Sequence, residues 1–428
     1  MFLLWSKSFD TGDITPSLLL QFITPIFKKG SRIKPENYRP VSITSHIIKL
    51  FEKVIRNRLV DYLERNGIFK NNQHGFRKKR SCLTQLLTHV DHILKSLNSG
   101  NKVDVIYLDY AKAFDKVDHN ILLAKLWKYG IRGKLYRWIR SFVSGRKQTV
   151  VVEGSKSTFK EVTSGVPQGT VLAATLFILY AMDLISLIKY SRPLTFADDT
   201  KLTQQIVNTL SRDFVQMDLE TVIKWSDMNN MKLHEQKFEV LNYVLNSSNW
   251  LRELPYYHEQ LQYTASEGHV IDPSASARDL GVIMTNDCKW YEHIKHVVKG
   301  ANTMASWVLS IFRYRSDRVM LILLKSMVRP TVEYCCPLWD PYKISEIQSI
   351  ENIQRQFTRR IGSCKGLVYW DRLKKLHIQR GLERYSIIHV WKIYHGEAPN
   401  DSEMEFYTHD SQSSPIQQHC TAIDINCL

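Results

Sequence analysis

Three aspartates stand at the ends of apolar runs. Phe196-Ala197-Asp198-Asp199 follows Leu194-Thr195 and leads into Thr200-Lys201-Leu202, and Asp109 closes the run Val103-Asp104-Val105-Ile106-Tyr107-Leu108. Two adjacent acids after a strand-like run fit the tip of a β-hairpin, where they can face a cleft without being buried unpaired. With the two strands side by side, Asp109 and Asp198 converge. Carboxylates so placed can hold two divalent cations roughly 4 Å apart, which clamps the attacking and leaving oxygens of a phosphoryl transfer. Hard oxygen donors suit Mg²⁺ better than zinc or copper. An Asp-Asp pair alone is more often a solvated turn, so the reading rests on its surroundings.

The elements that must position these acids can be read from periodicity. Gln21–Phe27 is strand-like and is broken by Lys28-Lys29-Gly30. From Val41 to Gly67, Ile47, Ile48, Leu50, Phe51, Val54, Ile55, Leu59 and Leu63 recur at three- and four-residue steps, which predicts a helix ended by Gly67. Ser81 is placed to cap a second amphipathic helix to Leu97. After the Asp109 strand, helices are expected over Asn120–Tyr129 and Lys134–Phe142, with paired strands at Gln148–Val152 and Phe159–Val162. Val171–Ile188 is apolar enough to suggest a membrane span. Asp183 inside it and the lack of anchoring flanks argue for a buried core helix instead. A long helix from Arg212 to Met228, a loop over 245–275, a short hairpin at Asp279–Val282 and helices from His293 to His395 complete the reading. The fold class is α+β with a mostly helical C-terminal region.

Charge points to a polyanion. The 428 residues carry 58 Lys+Arg against 42 Asp+Glu, a net +16. The excess is uneven: residues 1–80 hold 16 basic and 6 acidic residues, and 313–380 hold 14 and 6. Two basic regions flanking an acid-bearing middle suggest a nucleic-acid channel around a metal site, with salt-dependent binding. A generally basic solvated surface is the alternative. Seven cysteines without a Cys-x-x-Cys pair fit a reduced intracellular chain and exclude a disulfide scaffold or zinc finger. No signal peptide is visible and no membrane partner is expected.

Six segments then fall into one order: Asn37-Tyr38-Arg39-Pro40-Val41-Ser42, Gln73-His74-Gly75-Phe76-Arg77, Leu108-Asp109-Tyr110-Ala111-Lys112-Ala113-Phe114-Asp115, Ser164-Gly165-Val166-Pro167-Gln168-Gly169, Phe196-Ala197-Asp198-Asp199 and Leu280-Gly281. The series resembles the reverse transcriptase of non-LTR retrotransposons (LINE type, jockey-like), over roughly residues 21–395. The resemblance implies a right-hand polymerase of fingers, palm and thumb that copies an RNA template from a DNA primer 3′-OH with dNTPs. It implies two Mg²⁺ ions, or Mn²⁺ in their place, on Asp109, Asp198 and Asp199. Residues 1–20 would be a remnant or linker from a missing upstream region, 21–289 the fingers and palm, 290–400 the helical thumb and 401–428 a loose tail. An endonuclease domain, usual in full-length elements, is absent from this chain, which reads as a truncated or partly decayed copy. A ribonucleoprotein of nucleus and cytoplasm is the expected setting.

Further roles follow from the resemblance. Lys28 and Arg39 would grip the triphosphate, with Lys29 an equal candidate for the lysine. Phe114 would exclude a ribose 2′-OH, and Gln168, between Pro167 and Gly169, would bond the incoming sugar. Lys237 would lie near the pyrophosphate as a general acid, or be merely solvated. Arg77 would contact the template, or be structural; Leu280-Gly281 would form the primer grip. Asp104 and Asp115 are nearby acids not expected to bind metal, Asp115 fixing local backbone instead. Arg355, Arg359 and Arg360 near Phe357 would track the duplex. The departures are Ala173-Ala174 where the family has Gly-Pro, which could shift Gln168, and Met182 in place of Asn. They keep open a second reading, a decayed product that only binds RNA or RNA–DNA hybrid.

Overall fold

The computed structural model describes residues 2–208, 210–244 and 262–379, with 391–393, 395, 397–398, 406–407 and 423–424. Helix α1 (Phe2–Thr11) opens the chain. Strands β1 (Leu20–Phe27) and β2 (Tyr38–Ile43) form an antiparallel pair in which Phe22 faces Ile43 and Phe27 faces Tyr38. The expected helix from Val41 therefore starts later. Val41 to Ile43 finish β2, and Ser45, whose Oγ accepts the Ile47 amide at 3.3 Å, caps α2 (His46–Arg65). Helix α3 (Cys82–Asn98) starts on Ser81 in a capping box with Thr84, as its sequence predicts. Strand β3 (Lys102–Leu108), helices α4 (Ala113–Lys116), α5 (His119–Lys128) and α6 (Gly133–Val143), and strands β4 (Lys147–Val152), β5 (Ser155–Lys156) and β6 (Lys160–Glu161) follow. Next come α7 (Ala173–Leu187), the hairpin β7 (Arg192–Phe196) and β8 (Asp199–Ile206), α8 (Leu210–Met228) and β9 (Glu239–Tyr243).

Within the stretch read as a 245–275 loop, residues 245–261 lie outside the described residues. The short strands β10 (Tyr263–Thr264) and β11 (Val270–Ile271) pair beyond them. Strands β12 (Ser276–Asp279) and β13 (Val282–Thr285) form a hairpin, and helices dominate from α9 (Tyr291–Ile311) to Leu376. The expected loose tail falls outside the described residues, apart from the paired Phe406–Tyr407 and Ile423–Asp424.

Two compact units result, and they do not follow the linear boundary expected at residue 289. One comprises Met1–Arg77, Asp104–Val240 and Leu254–Pro273; the other comprises Lys78–Val103, Leu241–Glu253 and Ser274–Leu428. In the first, residues 2–11 are packed on the body of the unit. Trp5 stacks on Phe51 of α2 with ring centroids 5.4 Å apart, Trp138 of α6 donates to Ser8 at 3.2 Å, and Lys134 pairs with Asp10 at 2.6 Å. One sheet has the order β2-β1-β4-β5, with β6 also on β4. The other runs β7-β8-β3-β9, so the two acid-bearing strands are neighbours. Strand β3 is central and buried nearly throughout, which explains its apolar run.

Helix α7 forms the core beneath. Leu176, Phe177, Leu179 and Tyr180 are fully buried. Its acid is satisfied locally, since Asp183 accepts from Lys125 Nζ at 2.8 Å and from the Trp225 indole at 3.0 Å. An ion pair at the core's edge answers the cost of a buried carboxylate, so the run reads as interior rather than lipid-facing. Among the described residues no helix is long and apolar enough to cross a membrane. Within the second unit, α9 packs on the helix Ile344–Thr358, and His293 accepts the Ile283 amide on Nδ1 at 3.2 Å. Burial holds that ring's pKa down, to about 4.

Candidate active site

Asp198 sits on a two-residue turn between Phe196 and Asp199, which pair across β7 and β8. The turn requires φ +57° at Ala197, a left-handed conformation that costs a residue with a Cβ about 1 kcal/mol. The surrounding backbone holds it there. Gln73, buried at 2% exposure, accepts the Ala197 amide on Oε1 at 3.2 Å and the Gly75 amide at 2.7 Å. The Thr195 amide donates to the Asn72 carbonyl at 2.9 Å, and the His74 amide to the Thr195 carbonyl at 3.0 Å. Only glycine suits position 75, because a Cβ there would lie 2.6 Å from the Ala197 nitrogen. The Gln73–Phe76 segment is thus the seat of the acidic turn. The sequence reading missed that role and singled out only Arg77 there.

Asp109 extends β3 by one residue and is fixed by a segment from beyond α8. The His234 amide donates to the Asp109 carbonyl and the Ala111 amide to that of Lys232, both at 2.8 Å. The same segment carries Lys237, whose Nζ meets Asp109 Oδ2 at 2.5 Å. Opposite, burial lifts the Asp198 carboxyl above the usual carboxylate range; the Asp109 charge adds to this, while Arg39 and Lys28 pull it back down. Asp109 and Lys237 thus meet beside the strand that follows Asp198, and the charges of Arg39 and Lys28 bear on that carboxyl. Asp199 opens β8 and is exposed.

Asp104 belongs elsewhere, held by Arg212 at 3.2 Å and by Tyr263 at 2.7 Å. The oxygen donors and the mutual repulsion of Asp109 and Asp198 fit a hard divalent cation, and the Lys237 ammonium already supplies one positive charge there. Among the described residues no three His, Cys, Asp or Glu side chains close around a single point, so the fit rests on the carboxylate pair.

The Ser164–Gly169 loop is fixed from several sides. The Gln168 side-chain amide donates to Asp115 Oδ1 at 2.9 Å, and its carbonyl accepts the Ser42 amide at 2.7 Å. The Asp115 main-chain carbonyl also accepts Ser164 Oγ at 3.0 Å. Beneath, Arg146 and His119 both meet the Gly165 carbonyl, the latter at 2.9 Å. Phe114 is half-buried and stacks on Phe177, ring centroids 4.6 Å apart. Ala173 starts α7 without a break, and Met182 is buried at 3% exposure.

Arg77 is engaged within the protein. Its fork pairs with Glu64 at 3.0 and 2.7 Å, and Nη1 donates to the carbonyls of Lys70 and Gln73. The arginine ties α2 to the segment under the acidic turn, which is the structural alternative. Leu280-Gly281 belongs to the other unit and forms the β12–β13 turn with φ +45° and +89°. Tyr334 Oη donates to the Leu280 carbonyl at 2.6 Å.

Residues 26–284, more than half of the chain, match the family described as reverse transcriptase (RNA-dependent DNA polymerase). The probable RNA-directed DNA polymerase from transposon X-element of Drosophila melanogaster is 29% identical over 358 residues, covering 82% of this chain and 38% of that protein. The RNA-directed DNA polymerase from mobile element jockey of Drosophila funebris is 26% identical over 354 residues, covering 80% of this chain and 37% of that protein. The chain thus spans well under half the length of these relatives. Among solved structures, apo telomerase from Candida tropicalis superposes with a TM-score of 0.50 at 12% identity, covering 90% of this chain and 66% of that one. That likeness shows the fold, a right-hand polymerase of mixed helix and sheet. The chain belongs to the reverse transcriptase (RNA-dependent DNA polymerase) family, in its non-LTR branch.

Proposed function

We propose that this chain copies RNA into DNA, adding deoxynucleotides to a DNA primer 3′-OH by two-metal-ion phosphoryl transfer. The observation that carries the reading is the convergence of Asp109 and Asp198 on adjacent strands, with Lys237 on Asp109 and the charges of Arg39 and Lys28 bearing on Asp198. Asp109, Asp198 and Asp199 would hold Mg²⁺, which when bound makes the 3′-OH more acidic and neutralises the triphosphate. Arg39 and Lys28 bind the triphosphate, the first by its fork and the second as a point charge. Lys237, already on Asp109, can protonate the departing pyrophosphate. Phe114 closes the space a ribose 2′-OH would need, and the Gln168 amide, preset by Asp115, meets the sugar. Leu280-Gly281 supports the primer through its backbone. The RNA template and the hybrid are held chiefly by phosphate contacts and stacking, which suits the basic balance of the chain. The intact acids favour catalysis over mere RNA binding, and target-primed copying would take place in the nucleus.

The test is primer extension by the purified chain on a primed RNA template with Mg²⁺ and dNTPs, beside a doubly substituted Asp198→Asn, Asp199→Asn control. Extension by the parent and none by a control that still binds RNA is the expected result. A folded, RNA-binding parent that extends nothing would overturn the reading in favour of a binding protein.

A further inference from the structure

Glu52 lies on α2 with no exposed surface. Its Oε2 accepts the amide of Leu172 at 3.0 Å, and its Oε1 has no hydrogen-bond partner. Leu172 is the residue that caps α7, and it has no side-chain oxygen to offer the helix's free amides. Glu52 supplies that acceptor from a different helix and sets a negative charge at the positive end of α7. A buried carboxylate with an oxygen left over is an unfavourable way to fill space, since a neutral residue of the same volume would pack as well. What the contact holds is the end of the Ser164–Leu172 loop. Four residues before Leu172, the Gln168 carbonyl accepts the Ser42 amide, and Gly169 at φ +101° comes so close that a Cβ would lie 3.1 Å from the Ser42 carbonyl oxygen.

We propose that Glu52 is a positioning residue for the incoming nucleotide: ionised, it fastens Leu172, and through it Gln168 and Gly169, against β2. The inference rests on the polymerase reading above and deepens it. The charge that bears on Glu52 is that of Lys49 on its own helix. From the facing loop the Leu172 amide donates to Glu52, and the nearby Val171 amide and Thr170 hydroxyl also favour the charged form. Burial outweighs them and pushes the Glu52 pKa up to about 7. Because the folded value is the higher one, proton loss between about pH 4.5 and 7 removes stability. That same step tightens the loop. Fold stability and nucleotide binding thus respond to pH in opposite directions.

The experiment is Glu52→Gln in the full chain, with thermal melts, hydrogen exchange over 164–175 and steady-state primer extension. At pH 8 the melting temperature should equal or exceed the parent's. Exchange at Leu172 should quicken, and KM for dNTP rise, by about tenfold, as for loss of a hydrogen bond to a charged group. The kcat should be little changed. The parent's KM should fall as pH rises through about 7, and the variant's should not. Unchanged exchange and KM would overturn the proposal. So would a lowered melting temperature with kcat, KM and primer affinity all impaired together, which is the mark of a structural residue. If the parent extends no primer, the polymerase reading fails, and exchange at Leu172 still decides the role of Glu52.

Discussion

Gly75→Ala tests whether the acidic turn is seated by the segment beneath it. The added Cβ would stand 2.6 Å from the Ala197 nitrogen, against an ordinary contact of 3.4 Å or more, so the turn must retreat by about 0.8 Å (3.4 − 2.6). Gln73 Oε1 and the Phe196 carbonyl carbon, 3.0 and 3.1 Å away, block the lateral escapes. Overpacking of this kind costs about 1–3 kcal/mol of stability, which leaves a folded chain. Its effect on chemistry should be larger, because a misplacement near 1 Å of reacting groups costs about a hundredfold in rate. Single-turnover primer extension at saturating dNTP is the assay, with a melting curve as control. A rate reduced thirty- to a hundredfold, roughly, with little change in primer affinity is expected. A folded variant within about twofold of the parent would refute the view that Gln73–Phe76 positions Asp198, since the clash would then be absorbed elsewhere.

Two further outcomes follow. Mg²⁺ should raise the melting temperature of the parent by mass action, and Asp109→Asn or Asp198→Asn should abolish the rise; an equal rise in the variants would place the ion elsewhere. His293 is buried and its pKa lowered to about 4, so its contribution to stability is complete above its unfolded value near 6.5 and is lost as pH falls toward 4. Melting curves from pH 7 to 4.5 should therefore fall less steeply for His293→Asn than for the parent, by up to roughly 3 kcal/mol at the acid end; parallel curves would sink the assignment.

Much of the site could be read in the chain because its parts announce themselves locally. Apolar runs ending in acids gave β3, the β7–β8 hairpin and the convergence of Asp109 with Asp198, and the resemblance offered Lys28, Arg39, Gln168 and Lys237 as candidates. Ser81 announced its helix by a capping box. What stayed hidden depends on partners distant in sequence. Nothing around Gln73 says that its amide oxygen will meet the Ala197 backbone 124 residues later. Nor does Arg77 show by itself that its fork closes on Glu64, thirteen residues before it. At Val41-Ser42-Ile43 the apolar alternation suited a strand and continued into a helical period. The boundary fell at Ser45, where a hydroxyl could cap. The packing of residues 2–11 was not legible either, because the partner of Trp5, Phe51, lies on another helix.

The discontinuity of the two units has a consequence for the order of events during synthesis. The segment Lys78–Val103 leaves the first unit just before β3 enters it, and that unit draws on chain as far as Pro273. Asp109 emerges from the ribosome long before the β7–β8 hairpin that flanks its strand, and longer still before Lys237. Central strands that wait for late partners are slow to complete and expose apolar edges meanwhile. A nascent chain arrested before Asp199 would hold β3 without its neighbour β8. Such a fragment would be a substrate for chaperones rather than a smaller working protein, and the two acids would meet only after about half of the polypeptide has been made.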